Sequence, residues 1–336
     1  MKNIFPFLLF SLFCFSASAQ LNYKAVDYTE VDAWVRAINN KKIHKEADLA
    51  KMIKTKYPER HLRLRAIYVW VAENISYDCV GLHNKKLART KSSDVLNQKK
   101  SICQGYANLF LELCNQCNIP CEIIGGIAKT NFDVYGKHAW NRVKMEDDKW
   151  YLIDATWGAG YADPQCKIYT KKFNDHYYLT PPEVFIYMHY PSKKEMQLLD
   201  VPISKKKFKS LPLARDGAYI HALAPATPDN YLITVKANEN FHLSLPTMNN
   251  SKIDSVSFNI IRKKTITIND TVYRLAEKHI PKMSRSGDEY IIDYSFKING
   301  DFYLEIILNG YPAFEYEVKI KGGEAIKEKG GKEYTH

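Results

Sequence analysis

Apolar residues in the first part of the chain recur every three or four positions, predicting helices near Val31–Ile38, Ala47–Ile53 and Glu59–Glu73. Pro58 suits entry to the third, since its fixed φ fits a first helical turn. Between Ser92 and Asp200 the period changes repeatedly. A short helix is expected after Ser93, and a longer one through Tyr106, Leu109, Phe110, Leu113 and Cys114. A strand is expected over Cys121–Lys129, two more over Lys137–Met145 and Lys149–Asp154, and a helix after Pro181-Pro182. Past a break at Pro202–Lys209 the alternation has period two, at Tyr231–Lys236, Phe241–Leu245, Val256–Ile261, Thr265–Ile268, Tyr290–Ile298, Phe302–Leu308 and Ala313–Ile320. The expected fold class is therefore α+β, helices packed on an antiparallel sheet, followed by an all-β, immunoglobulin-like sandwich.

These patterns divide the chain into expected parts. Residues 1–19 read as a signal peptide: Lys2, the apolar run Ile4–Phe15, and the small-residue site Ala17-Ser18-Ala19. The run is too short to span a bilayer, so a secreted or periplasmic protein with no membrane span is expected. Residues 20–204 form the α+β part and 205–320 the sandwich. Residues 321–336, dominated by Gly, Lys and Glu, read as a disordered tail. The formal charge of +11 is spread over both halves of the chain. It lacks the concentrated basic patch of a nucleic-acid binder, so no nucleic acid is expected as a partner.

The cysteines change the picture more than the charge does. Cys79, Cys103, Cys114, Cys117, Cys121 and Cys166 follow the leader; in an oxidising compartment their even number invites disulfides, with the pairing left open. Cys114, Cys117 and Cys121 have a spacing that can suggest zinc. Their places on a helix and a strand start read instead as core thiols, so no metal and no cofactor is expected.

Cys103 differs, because it falls in the first turn of its helix, where the partial positive charge stabilises a thiolate. His138 and Asp154 supply a base and a group to orient it. If the Glu146-Asp147-Asp148 loop has three residues, Met145 pairs with Lys149 and Trp140 sits opposite Asp154. His138 and Asp154 are then diagonal neighbours on one face, roughly 7–8 Å apart at the backbone. A two-residue turn would send them to opposite faces.

The stretches "AIYVWVAENISYD", "ICQGYANLFLELCNQCNIPCEIIGGIAK", "KHAWNRV", "WYLIDATWGAG" and "HYYLTPPEVFIYMHYP" lie in order between Ala66 and Pro191. In them the chain resembles the transglutaminase-like superfamily, and specifically its kyphoscoliosis-type peptidase branch. The resemblance implies a papain-like core and places the family's cysteine, histidine and aspartate on Cys103, His138 and Asp154. It implies a tryptophan where this chain has Met196. It also implies that some relatives have lost the cysteine and serve as scaffolds, whereas this chain keeps it.

The expected function is that of an exported cysteine hydrolase, cleaving amide bonds of peptides or proteins through a thioester. The alternatives are transglutaminase-type transfer to amines, or a non-catalytic adaptor. The expected partners are a peptide or protein substrate and, through the C-terminal sandwich, a cell-envelope component. Asn97 or Gln98 is a candidate oxyanion donor, Trp140 or Trp157 a cleft wall, and Trp70 a core residue. Asp78 and Asn141 are read as turn braces. His44, His61, His83, His176 and His189 show no metal-like spacing and read as mostly surface residues.

Overall fold

A computed structural model describes residues 23–39, 42–84, 87–224, 226–248, 250–268, 271–323 and 333–334. The leader and most of the tail lie outside these described residues. Three helices open the fold: α1 (Thr29–Arg36), α2 (Glu46–Lys56) and α3 (Arg60–Asn74). Helix α3 buries every residue from Leu64 to Ala72, Trp70 included. A helix apolar all round must be enclosed, and the other two helices help to cover it.

Strand β1 (Ser76–Tyr77) runs parallel to β2 (Lys100–Ser101), pairing Tyr77 with Ser101. Between them lie α4 (Cys79–His83) and α5 (Ser92–Gln98). Helix α6 (Cys103–Gln116) starts two residues after β2 and buries Tyr106, Leu109, Phe110, Leu113 and Cys114, the face its periodicity predicts. Gly105 allows its close approach to β2 and α5, because a Cβ there would lie 1.9 Å from Ser101 Oγ and 2.9 Å from Val95 Cγ2.

The sheet beside α6 comprises β3 (Cys121–Asn131), β4 (Val134–Lys144) and β5 (Trp150–Ile153), with β6 (Gly160–Ala162) and β7 (Tyr169–Lys171) forming a separate hairpin. After the short helix α7 (Pro182–Phe185), β8 (His189–Pro191) returns to the open edge of β3, giving the order β5-β4-β3-β8. Cys79 and Cys166 form a disulfide that ties α4 to the β6–β7 loop, with Cα atoms 5.2 Å apart. Cys103, Cys114, Cys117 and Cys121 are free thiols. Cys114 and Cys117 are fully buried, and burial pushes the Cys117 thiol up to about 11, as suits an inert core residue.

The C-terminal part has two facing sheets. One comprises β9 (Leu213–Ala214), β10 (Leu232–Lys236), β12 (Val256–Ile268), β13 (Thr271–His279), β16 (Gly300–Leu308), β17 (Tyr311–Lys321) and β18 (Glu333–Tyr334). The other is ordered β11 (Phe241–Pro246), β15 (Glu289–Tyr294) and β14 (Lys282–Ser286). All ladders are antiparallel except β10 on β17. Phe258, Leu304, Ile306, Leu243 and Ile292 fill the space between the sheets. The two runs expected at Val256–Ile261 and Thr265–Ile268 are one strand, with a register shift against β13 between Ile261 and Thr265.

The sandwich core does not stop at residue 205. It takes in Val184, Ile186, Tyr187 and Met188, which lead into β8. Lys129 on β3 is buried at the same joint and donates from Nζ to the carbonyls of Phe208 (2.9 Å) and Leu211 (2.7 Å). At the β3–β4 turn the Phe132 ring stacks on Tyr231, with centroids 5.0 Å apart. Among the described residues no helix is long and apolar enough to cross a membrane.

Candidate active site

Cys103 opens α6, and Ile102 before it provides no side-chain cap. Cys103 is half-buried. On the neighbouring sheet, Met145 donates its N–H to Lys149 O at 3.0 Å, and β4 pairs Asn141 with Ile153. This is the register that the three-residue loop predicts. It delivers Asp154, just past the end of β5, to His138: Nε2 of the imidazole lies 2.6 Å from Asp154 Oδ2. With Nε2 occupied, Nδ1 is the nitrogen left for Cys103, whose thiol lies close enough to the His138 ring and the Ala139 N–H for both to favour its ionised form.

Burial opposes ionisation of Cys103, but the adjacent His138 ring and its charge, with the Ala139 N–H, lower its pKa below the ordinary thiol value. Burial alone would likewise depress His138, yet the Asp154 carboxylate and the thiolate raise it to about 10. Asp154 is fully buried, which would raise its carboxyl; the imidazoles facing it hold it well below the usual carboxylate range instead. The three groups act on one another, and each is shifted toward its charged form: thiolate, imidazolium and carboxylate. Such a unit can attack an electrophilic carbon and then hand a proton to the leaving group.

His189 is where the sequence reading fails. Its side chain is wholly buried on β8, with Nε2 3.0 Å from Asp154 Oδ2. Only the return of β8 to β3, pairing His189 with Ala128, brings it there. His44 and His83 are exposed, and His61 and His176 are half-buried. The ligand atoms of His138, Asp154 and His189 lie within 4.8 Å of one another, a set that could also hold a metal ion. Here the N–H···O bonds between them already satisfy each imidazole nitrogen that faces the carboxylate.

The remaining candidates sort by their contacts. Trp157 is half-buried with its ring 5.6 Å from that of His138. Trp140 stacks on the same imidazole at 5.9 Å but is buried among Ile124, Leu152 and Phe185. Asn97 spends its amide on Ser93 O at 2.8 Å, and both Asn97 and Gln98 are exposed. Asn141 braces α6 through Ala107 O at 3.2 Å, and Asp78 pairs with Lys100 at 3.4 Å. Tyr77, unremarked in the sequence, stands near enough for Cys103 to raise its phenol pKa, after burial itself. Met196 packs at the edge of the small cluster around Trp140.

Comparison with known proteins locates the same region. Residues 47–155 match the model of the transglutaminase-like superfamily. Kyphoscoliosis peptidases of Mus musculus and Homo sapiens are each 33% identical over 178 residues, covering 51% of this chain and 27% of their own length. Hillarin of Drosophila melanogaster is 30% identical over 138 residues, 36% of this chain and 17% of its own. The chain thus spans about a quarter or less of the length of these relatives. A crystal structure of a TGase overlaps it with a TM-score of 0.27 at 20% identity, over 45% of this chain and 41% of that one. Residues 47–155 thus form a domain of the transglutaminase-like superfamily, and their similarity runs to its kyphoscoliosis-peptidase branch.

Proposed function

We propose that this chain is a cysteine hydrolase that cleaves amide bonds in peptides or proteins. The observation that carries the reading is the His138–Asp154 pair, 2.6 Å apart, standing against the Cys103 thiol at the start of α6 closely enough to lower its pKa. In the first half-reaction the thiolate adds to the amide carbonyl and the uncapped first turn of α6 faces the developing oxyanion. His138 gives its proton to the departing amine as the C–N bond breaks, leaving a thioester. In the second half, His138 takes a proton from water, the hydroxide oxygen adds to the thioester carbon, and the C–S bond breaks to release a carboxylate. Asp154 keeps the imidazole in its productive tautomer throughout. Water rather than a lysine amine is favoured as acceptor because the relatives at 33% identity are named as peptidases.

The test is the rate at which iodoacetamide alkylates Cys103. It should exceed that of a free cysteine at neutral pH, and His138→Ala should lower it by about a hundredfold or more. Equal rates in the two proteins would leave a non-catalytic adaptor as the better reading. Cleavage of mixed peptides, absent in Cys103→Ala, should fall as the pH passes about 10, where His138 loses its proton.

Export belongs to the same proposal. The leader pattern supports it, and so does the Cys79–Cys166 disulfide, since such bonds persist mainly in oxidising compartments. The mature protein should begin at Gln20; an N-terminus at Met1 in protein from the native cell would refute this.

A further inference from the structure

Asp154 accepts from four donors. The N–H groups of Thr156 (2.8 Å) and Trp157 (3.0 Å) hold Oδ1, while His138 and His189 share Oδ2. The two backbone donors come from the turn that follows Asp154, so they fix one oxygen only. At Oδ2, His138 is the group to be oriented and cannot also be the reference that orients it.

We propose that His189 is a positioning residue of this site, fixing Asp154 Oδ2 and through it the direction in which His138 faces Cys103. The proposal rests on the hydrolase reading and adds to it a role that the Cys-His-Asp series does not contain. The His189 ring is itself held from several sides: Phe185 is stacked at 3.9 Å, Trp157 lies at 4.4 Å, and Trp140 presents its edge at 5.2 Å. Enclosed in this way, it cannot reach a substrate and acts only through Asp154. The titratable groups that face it are Asp154, His138 and, 6.2 Å away by ring centroid, Tyr177.

His189 has to donate from Nε2 without becoming a second cation. Burial pushes it down to about 4, although Asp154 pulls the other way, so it donates as a neutral ring. The single negative charge of Asp154 is left to one imidazolium, that of His138.

The test compares side chains that do and do not place a donor where Nε2 lies. Glutamine can carry an N–H to that point, whereas asparagine is shorter and phenylalanine has none. In the full chain, the alkylation rate of Cys103 by iodoacetamide is followed from pH 4 to 10, with the thermal midpoint as a check on folding. His189→Phe and His189→Asn should slow alkylation at pH 7 by about tenfold to a hundredfold and move the thiolate midpoint upward. His189→Gln should stay within about threefold of the parent, with an unmoved midpoint. Should His189→Phe not fold, the glutamine and asparagine variants decide. Equal behaviour of those two, or a parental profile in His189→Phe, overturns the role of His189. If His138→Ala also leaves the rate unchanged, the hydrolase reading falls as well; if it slows the rate, that reading stands alone.

Discussion

The α+β part and the sandwich bury polar groups in opposite ways. Around Asp154 a carboxylate and two imidazoles share one enclosed space, with a half-buried thiol at its edge. Nearby, Arg65 lies between Asp32 and Asp175 beneath the rings of Tyr28 and Tyr178. The sandwich is filled by aliphatic and aromatic side chains, and among its described residues the buried polar side chains are few, such as Thr247 and Ser257. Apolar burial stabilises without needing direction, whereas a buried charge costs free energy unless it is paired and hydrogen-bonded. The contrast teaches that paired charge is concentrated where orientation matters, and that shape alone serves elsewhere.

The largest expected effect lies at the charged cluster. Asp154→Asn keeps the size of the side chain but sets an amide NH2 either against the two imidazoles that share Oδ2 or against the Thr156 and Trp157 N–H groups at Oδ1, breaking hydrogen bonds in both orientations. Peptide cleavage should fall by about a thousandfold or more while the fold persists, as read by kinetics beside circular dichroism. A loss below tenfold would mean that the cluster is mere packing. In the sandwich the converse is expected. Phe258→Ala, at a fully buried position, should cost about 3–5 kcal/mol in denaturant unfolding yet leave Cys103 alkylation unchanged below the transition. A matching drop in alkylation would erase the contrast.

A third effect, spread over a pH range, is expected at the joint. Burial lowers Lys129 to about 7, well under its ordinary value. Between that pH and about 10.5 the unfolded chain binds a proton that the folded chain does not, so stability should rise with pH through this window. Lys129→Met should flatten that rise; an unchanged slope would show that Lys129 is not its source.

Much of the site was legible because it is built from local rules. The three-and-four spacing after Cys103 gives α6 its buried face, and the three-residue acidic loop fixes the register that joins His138 to Asp154. His189 was not legible. Nothing in "YMHYP" is periodic, and its contact with Asp154, 35 residues away, exists only because β8 pairs with β3. Strand β14 escaped for a different reason: Lys282, Ser284 and Ser286 are exposed and offer little alternation of apolar residues. The pairing of Cys79 with Cys166 likewise depends on two loops meeting, which spacing alone does not encode. Arg262 and Lys264 interrupt the apolar pattern and suggest a turn, but pairing of Arg262 with Phe302 carries β12 through the interruption.

The seam at Val184–Met188 ties the two styles of burial together. These residues sit in the sandwich core, and the next residue in the chain is His189. A fragment ending at 204 would therefore leave them facing water and cost β8 its backing. Though remote from the sulfur, the sandwich thus backs the segment of chain that leads directly into the innermost imidazole.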